Sequence, residues 1–149
     1  MGRFVGTVEY LADVDVRALA EWLTPIPAGK WPSDSSLIIV GWHGFPFRVA
    51  QIVDEVLALF PPGSAADGLM VSIVLPGRSI PPRIDDQPPN WLCRVYVPLL
   101  TNPESQLIVG EQAYHMEVGK AYRVNTEAIH SLVNGGTSPI LHFICDIKI

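Results

Sequence analysis

The second half of this chain is a series of short apolar segments separated by strong turn signals. Pro76-Gly77, Asn102-Pro103 and Asn134-Gly135-Gly136 lie between these segments, and such Pro, Gly and Asn pairs favour tight turns. Many short strands at this spacing are typical of a β-sandwich or a jelly roll. The predicted strands are Leu69 to Leu75, Leu92 to Leu100, Gln106 to Val109, Tyr114 to Glu117, Lys120 to Asn125, Ser131 to Asn134 and Leu141 to Ile149.

The N-terminal part has a mixed pattern. Phe4 to Tyr10 alternates as a strand does, whereas Asp13 to Leu23 places apolar residues among charged ones, as a short amphipathic helix does. Leu37 to Val40 is a short apolar strand, and Phe47 to Phe60 is a second predicted helix.

We predict a single domain. The chain has 149 residues, of which 48% are hydrophobic and 17% charged, and this is enough for one hydrophobic core. No repeat or linker divides the sequence. We therefore expect residues 1–149 to form one α+β domain that is mainly β, with residues 1–65 as the mixed helix and strand part and residues 66–149 as the β core.

Charge and hydropathy exclude several classes of partner. The net charge of −5 argues against a nucleic acid or an anionic membrane as the partner. No apolar run approaches the roughly 18 to 20 residues of a membrane span, and the first residues lack the apolar core of a signal peptide. We therefore expect a cytoplasmic protein that acts on a small molecule or a peptide.

A set of motifs in the last 80 residues or so resembles the aspartyl/asparaginyl β-hydroxylase family. The resemblance implies a double-stranded β-helix, which is a cupin-like jelly roll, here with N-terminal helices packed on one side. It also implies Fe(II) and 2-oxoglutarate as cofactors. The motifs are Pro-Gly-x-x-Ile-Pro-Pro at residues 76–82, Arg94 to Leu99 with Thr101 to Pro103, His115 to Tyr122, Asn125-Thr126 leading to His130, Asn134 to Gly136, and His142 to Asp146.

The family's metal ligands are only partly present. The resemblance places its first iron histidine at Arg83, the acidic residue at Asp85 and the second histidine at His130. A mononuclear iron oxygenase needs two histidines and usually one carboxylate, and an arginine has no lone pair to offer. A cation a few Å from Fe(II) also opposes metal binding by roughly 4 kcal/mol or more for each pair of unit charges.

The cosubstrate residues that the resemblance implies are also replaced. The family's Arg-x-His strand motif becomes Arg94-Val95-Tyr96, and the basic residue two places before His142 becomes Ile140. Together with Arg83, these departures predict that neither iron nor 2-oxoglutarate binds in the usual way. We therefore predict no cofactor and no metal ligand.

The residues that remain are suited to acid/base catalysis. We predict His130 as the main base and Asp85 as the group that orients it. Arg94 and Tyr96 share one face of a strand, so Tyr96 is the predicted counter-acid. Arg83, Arg94 and His142 are the predicted substrate-binding residues. The prediction is a metal-independent, redox-neutral enzyme that catalyses a cyclisation, isomerisation, epimerisation or elimination. The resemblance implies an amino-acid, peptide or natural-product substrate.

Two alternatives stay open at this point. One is an Fe(II)/2-oxoglutarate hydroxylase with an altered ligand set, in which Asp85 and His130 bind iron, with His142 or a water as a further ligand, and Arg94 holds the cosubstrate. The other is a non-catalytic binding or accessory protein. Single residues also have structural interpretations: Arg83 can pair with Asp85 or Asp86 at the surface, and His142 can be a buried core histidine.

Overall fold

The structure, a computed structural model, describes residues 4, 6–23, 37–39, 49–87 and 89–149. Within these residues two helices and ten strands are present. No helix in the same ranges is long and apolar enough to cross a membrane. The elements are β1 (Val8–Asp13), α1 (Arg17–Leu23), β2 (Leu37–Ile39), α2 (Val49–Leu57), β3 (Ala65–Val74), β4 (Ser79–Arg83), β5 (Trp91–Leu100), β6 (Ser105–Val109), β7 (Gln112–Tyr114), β8 (Lys120–Val124), β9 (His130–Asn134) and β10 (Ile140–Lys148).

The strands form two antiparallel sheets. The larger sheet has the order β1-β8-β5-β10-β3-β2, and the smaller sheet has the order β4-β9-β6-β7. One apolar cluster combines residues of both sheets, including Tyr96 and Ile144 from the larger and Leu107 and Leu132 from the smaller. The sheets therefore face each other across a shared interior, and the predicted double-stranded β-helix is confirmed.

Strand alternation gives the larger sheet a second apolar face, which the helices cover. Val95 of β5 and Phe143 of β10 belong to one cluster with Leu19 of α1 and with Val53 and Val56 of α2. Because successive side chains of a strand point to opposite faces, Tyr96 then points to the interior between the sheets. The prediction that the helices pack on one side is confirmed.

The sequence prediction missed β4. Its residues include Pro81 and Pro82, which cannot donate a backbone hydrogen bond, and the segment is not among the predicted strands. β4 is an edge strand of the smaller sheet and pairs only with β9 among the described strands, so the missing donors cost little. The register shifts between Ile80 and Arg83, and Arg83 then lies directly opposite His130.

The N-terminal elements begin later than predicted. The strand predicted at Phe4 to Tyr10 is observed at β1, and the pairing with β8 continues through Asp13 opposite Lys120. Val14 extends it by donating a backbone hydrogen bond to Gly119. Since these residues are used in the sheet, α1 begins at Arg17 instead of Asp13.

Candidate active site

Strands from both sheets place polar side chains around one cleft. Arg83 and His130 face each other from β4 and β9, and Tyr96 and Ile144 are paired on β5 and β10. The cleft is partly open to solvent, and the space in it that a water molecule's centre can occupy is about 10 Å³, enough for roughly one water molecule. The residues that line it are Ser72, Ile80, Arg83, Tyr96, Leu107, His130, Ser131, Leu132 and Ile144.

Asp85 is the charged centre of this site. Its Oδ2 atom accepts a hydrogen bond from Arg94 Nη1 at 2.7 Å, and its Oδ1 atom is 3.3 Å from Arg83 Nε. His130 Nε2 lies 3.4 Å from Oδ2. The Asp85 backbone N–H donates to the carbonyl of Thr126, which holds the residue beside the cleft. One carboxylate therefore lies between two guanidinium groups and one imidazole.

Arg94 is held from its other side by Asp146. Arg94 Nε and Nη2 donate to the two carboxylate oxygens of Asp146 at 2.9 and 3.0 Å. Trp91 Nε1 donates to the same carboxylate at 3.1 Å. Burial lowers the pKa of Arg94, but the hydrogen bonds and charge of Asp146 outweigh this and raise it overall. Arg94 is therefore a permanent cation that is positioned between Asp146 and Asp85.

His130 has one ring nitrogen in a hydrogen bond and one directed to the site. Nδ1 is 2.9 Å from the Ala128 carbonyl. A carbonyl only accepts, so Nδ1 carries a proton. Nε2 has no hydrogen-bond partner within the described part of the chain, because its approach to Asp85 is too long for a good one. His130 is 4% exposed, so this nitrogen is a buried polar atom that can bind a ligand.

Tyr96 and His142 form a neutral layer next to the charged residues. Their rings meet edge to face with centroids 5.8 Å apart. Burial raises the pKa of Tyr96, an effect that Arg94 partly offsets, so the phenol stays protonated at neutral pH. Burial lowers the pKa of His142 to about 4, so its imidazole is neutral. His142 contacts Tyr96 but is not one of the residues that line the cleft.

The structure thus brings five of the six predicted site residues together. Arg83, Asp85, His130 and Arg94 are linked by short contacts, and Tyr96 lines the same cleft. The catalytic and substrate-binding roles of these residues and of His142 stay predictions.

Sequence reasoning missed three further residues. Ser72 lines the cleft from β3, directly opposite His142. Asp146 and Trp91 hold Arg94. A signal existed for two of them: Ser72 is a hydroxyl within an apolar strand, and Asp146 is a charge within the apolar run of the last strand. Trp91 carried no such signal.

The residues at this site do not fit the iron centre that the resemblance implies. The cleft offers one imidazole nitrogen and one carboxylate, and both oxygens of that carboxylate face an arginine. Among the described residues, no group of three or more His, Cys, Asp or Glu could hold a metal ion. Ile140, where the resemblance implies a basic residue, is buried in the apolar interior between the sheets.

Comparison with protein families confirms the resemblance drawn from the motifs. The sequence model of the family described as aspartyl/asparaginyl beta-hydroxylase matches residues 45–149. No curated protein sequence matches the chain.

Solved structures share the fold over nearly the whole chain. The viral collagen prolyl hydroxylase of Paramecium bursaria Chlorella virus-1, solved as a 2OG complex, is similar with a TM-score of 0.67 and 11% identity, over 97% of this chain and 96% of that one. AviO1 from Streptomyces viridochromogenes has a TM-score of 0.65 and 12% identity, over 96% of this chain and 90% of that one. An oxidoreductase of the 2OG-Fe(II) oxygenase family from Burkholderia pseudomallei has a TM-score of 0.60 and 10% identity, over 99% of this chain and 95% of that one. At these identities the likeness shows the fold alone.

Proposed function

Since the chain belongs to the aspartyl/asparaginyl β-hydroxylase family, we propose that it uses this family's barrel for metal-independent acid/base catalysis. The solved structures with this fold point to 2-oxoglutarate and iron as the cofactors of the wider group. The observation that carries the proposal is that Arg83 and Arg94 both contact Asp85, the carboxylate that would otherwise bind the metal. Two cations beside the one carboxylate oppose the binding of a divalent ion.

His130 is the proposed base. Its Nδ1–H donates to Ala128, which directs the lone pair of the neutral ring to Nε2, the nitrogen that lines the cleft. When Nε2 takes a proton from a substrate, the Asp85 carboxylate 3.4 Å away stabilises the resulting imidazolium. Asp85 itself is fixed in place by Arg94.

Tyr96 is the proposed acid. Its phenol is protonated at neutral pH and lies in the same cleft as His130. A base and an acid in one cleft can remove a proton from one position and supply a proton at another. This supports a redox-neutral reaction, namely an isomerisation, epimerisation, elimination or cyclisation, which requires no oxidant.

The proposed substrate is an amino acid, a peptide or a related natural product. The polar groups of Arg83, Tyr96 and His130 at one partly open cleft suit a small polar ligand that enters from solvent. One protein that shares the fold is a viral collagen prolyl hydroxylase by name, and peptides are therefore tested alongside amino acids. The cytoplasmic location expected from the sequence stays a prediction.

Metal dependence and proton exchange test the proposal. A panel of amino acids and short peptides is incubated with the protein in D₂O with a chelator, and deuterium incorporation is followed by NMR and mass spectrometry. We expect incorporation that the chelator does not affect, that His130→Gln abolishes, and that Arg78→Gln, a change of an exposed residue outside the cleft, retains.

A parallel assay supplies Fe(II), 2-oxoglutarate and oxygen. Release of succinate that depends on Fe(II) would refute the proposal and establish the hydroxylase with an altered ligand set. If no member of the panel exchanges and the protein binds these compounds without turnover, the non-catalytic binding protein is the correct function.

A further inference from the structure

Three residues that line the same cleft, each on a different strand, carry a buried polar atom without a hydrogen-bond partner. These atoms are Ser72 Oγ on β3, Arg83 Nε on β4 and His130 Nε2 on β9, and none has a partner among the residues that the structure describes. Arg83 Nε is 3.3 Å from Asp85 but lacks the geometry of a hydrogen bond. Buried polar groups in folded proteins are almost always paired. Several unpaired atoms around one space therefore mark it as a polar binding site, which a ligand or an ordered water can fill.

The three atoms define the chemistry of that ligand. The hydroxyl of Ser72 can donate, and the guanidinium of Arg83 only donates. A ligand with two acceptor oxygens satisfies both. Arg94 is less suited to this role, because three of its five donor positions are used by Asp146 and Asp85 and it does not line the cleft. Arg83 has a 38% exposed side chain, so it can reach a ligand that enters from solvent.

We propose that the substrate carries a carboxylate, which binds between Ser72 Oγ and the Arg83 guanidinium. This inference rests on the proposed function, because it concerns the substrate of the same site. A flat carboxylate with two acceptor oxygens suits a planar guanidinium. The space between these donors accommodates about one water-sized group, which favours a small anionic group over a bulky one. The nearby Asp85 also disfavours a dianion.

The position of His130 gives the reacting atom. Its Nε2 atom lines the same cleft as the two donors. A carboxylate held by Ser72 and Arg83 would lie in the same cleft as this nitrogen, so the carbon next to it is the proposed site of proton removal. The apolar side chains of Ile80, Leu107 and Ile144 line the remainder, and such surroundings strengthen an ion pair by excluding water. The substrate class is thus a carboxylic acid that reacts at the carbon next to the carboxylate.

Titration with a matched pair of ligands tests this subsite. Propionate is added to the ¹⁵N-labelled wild-type protein in the presence of a chelator, and amide shifts are followed by NMR. Propionamide has nearly the same shape without the charge and serves as the control ligand. We expect saturable shifts at Ser72, Arg83 and His130 with propionate, and at least tenfold weaker binding of propionamide.

Two variants locate the interaction. We expect Arg83→Gln to weaken propionate binding at least tenfold and Ser72→Ala to weaken it several-fold, while Arg78→Gln, which removes an exposed charge outside the cleft, leaves it unchanged. Dispersed amide spectra confirm that each variant is folded. If Arg83→Gln does not fold, the affinity of Ser72→Ala for propionate and the ratio of the propionate and propionamide affinities still test the subsite.

Equal affinities for propionate and propionamide would overturn the carboxylate subsite, and so would tighter binding of inorganic phosphate or unchanged affinity in both cleft variants. Because the titration involves no turnover, these results leave the proposed function untouched. Iron-dependent turnover would refute the proposed function without changing the measured ratio of the affinities for propionate and propionamide.

Discussion

Replacing Arg83 with histidine should create a metal site. Arg83 lies directly opposite His130, and His130 Nε2 is 3.4 Å from Asp85. Arg83→His would bring two imidazoles and one carboxylate together, which is the usual ligand set of a mononuclear iron centre. It would also remove the guanidinium that faces Asp85 Oδ1 and so release that oxygen for a metal.

The size of the effect follows from the charge that is removed. Two unit charges about 4 Å apart interact by about 4 kcal/mol at an effective dielectric near 20, and a divalent ion doubles this to about 8 kcal/mol. The Arg83 side chain is 38% exposed, so solvent screening reduces the repulsion, and we take about half, or ~4 kcal/mol. This corresponds to roughly a thousandfold in affinity, before the contribution of the new ligand.

The assay is a titration of wild type and variants with Mn(II), followed by electron paramagnetic resonance, and with Fe(II) under anaerobic conditions, followed by calorimetry. Arg83→Gln is the control that removes the charge without supplying a ligand, and its metal affinity should rise less than that of Arg83→His. Arg78→His adds a histidine outside the cleft, and its metal affinity should equal that of the wild-type protein. The reasoning is refuted if the wild-type protein already binds Fe(II) as tightly as Arg83→His does.

Two further predictions concern stability. Burial lowers the pKa of His142 from 6.5 to about 4, so the unfolded state binds more protons between these values. The free energy of unfolding should therefore fall by about 3 kcal/mol as the pH falls from 6.5 to 4. Denaturant titrations across this range measure how steeply the free energy of unfolding changes with pH. This slope should be smaller in His142→Gln, and an unchanged slope would contradict the lowered pKa of His142. Asp146→Asn leaves buried Arg94 with Asp85 alone and should cost about 3–5 kcal/mol in urea unfolding, whereas Asp67→Asn, at an exposed pair with Lys148, should cost below about 1 kcal/mol. Equal losses would show that the buried pair contributes no more than the surface one.

The strands with continuous apolar runs were predictable from the sequence. The runs Leu92 to Leu100 and Leu141 to Ile149 correspond to β5 and β10 with ends that differ by at most one residue. These strands are covered on both faces, by the helices on one side and by the smaller sheet on the other. Their sequences are therefore continuously apolar, which identifies them as buried strands. β4 was not predictable, because its prolines are compatible with a strand only at a sheet edge, and its edge position depends on the whole sheet.

The site was predictable in its residue types and only partly in its contacts. Alternation along β5 predicted that Arg94 and Tyr96 point the same way, while Val95 faces the helices. The partner of Arg94 was not predictable, because Asp146 is 52 residues away in sequence. Ser72 was missed for the same reason, since its place at the cleft depends on the register of β3 against β10.

The sequence alone determined the family, the two-sheet barrel and the presence of an arginine where a metal-binding histidine is expected. Local patterns suffice for these conclusions, because hydrophobic period, turn residues and short motifs act over a few neighbouring positions. Only the tertiary structure decided that Arg83 and Arg94 share Asp85, and that Ser72 joins His130 at one cleft. Such contacts depend on strand register across the barrel, where a shift of one residue would direct a strand side chain such as Ser72 or His130 to the opposite face.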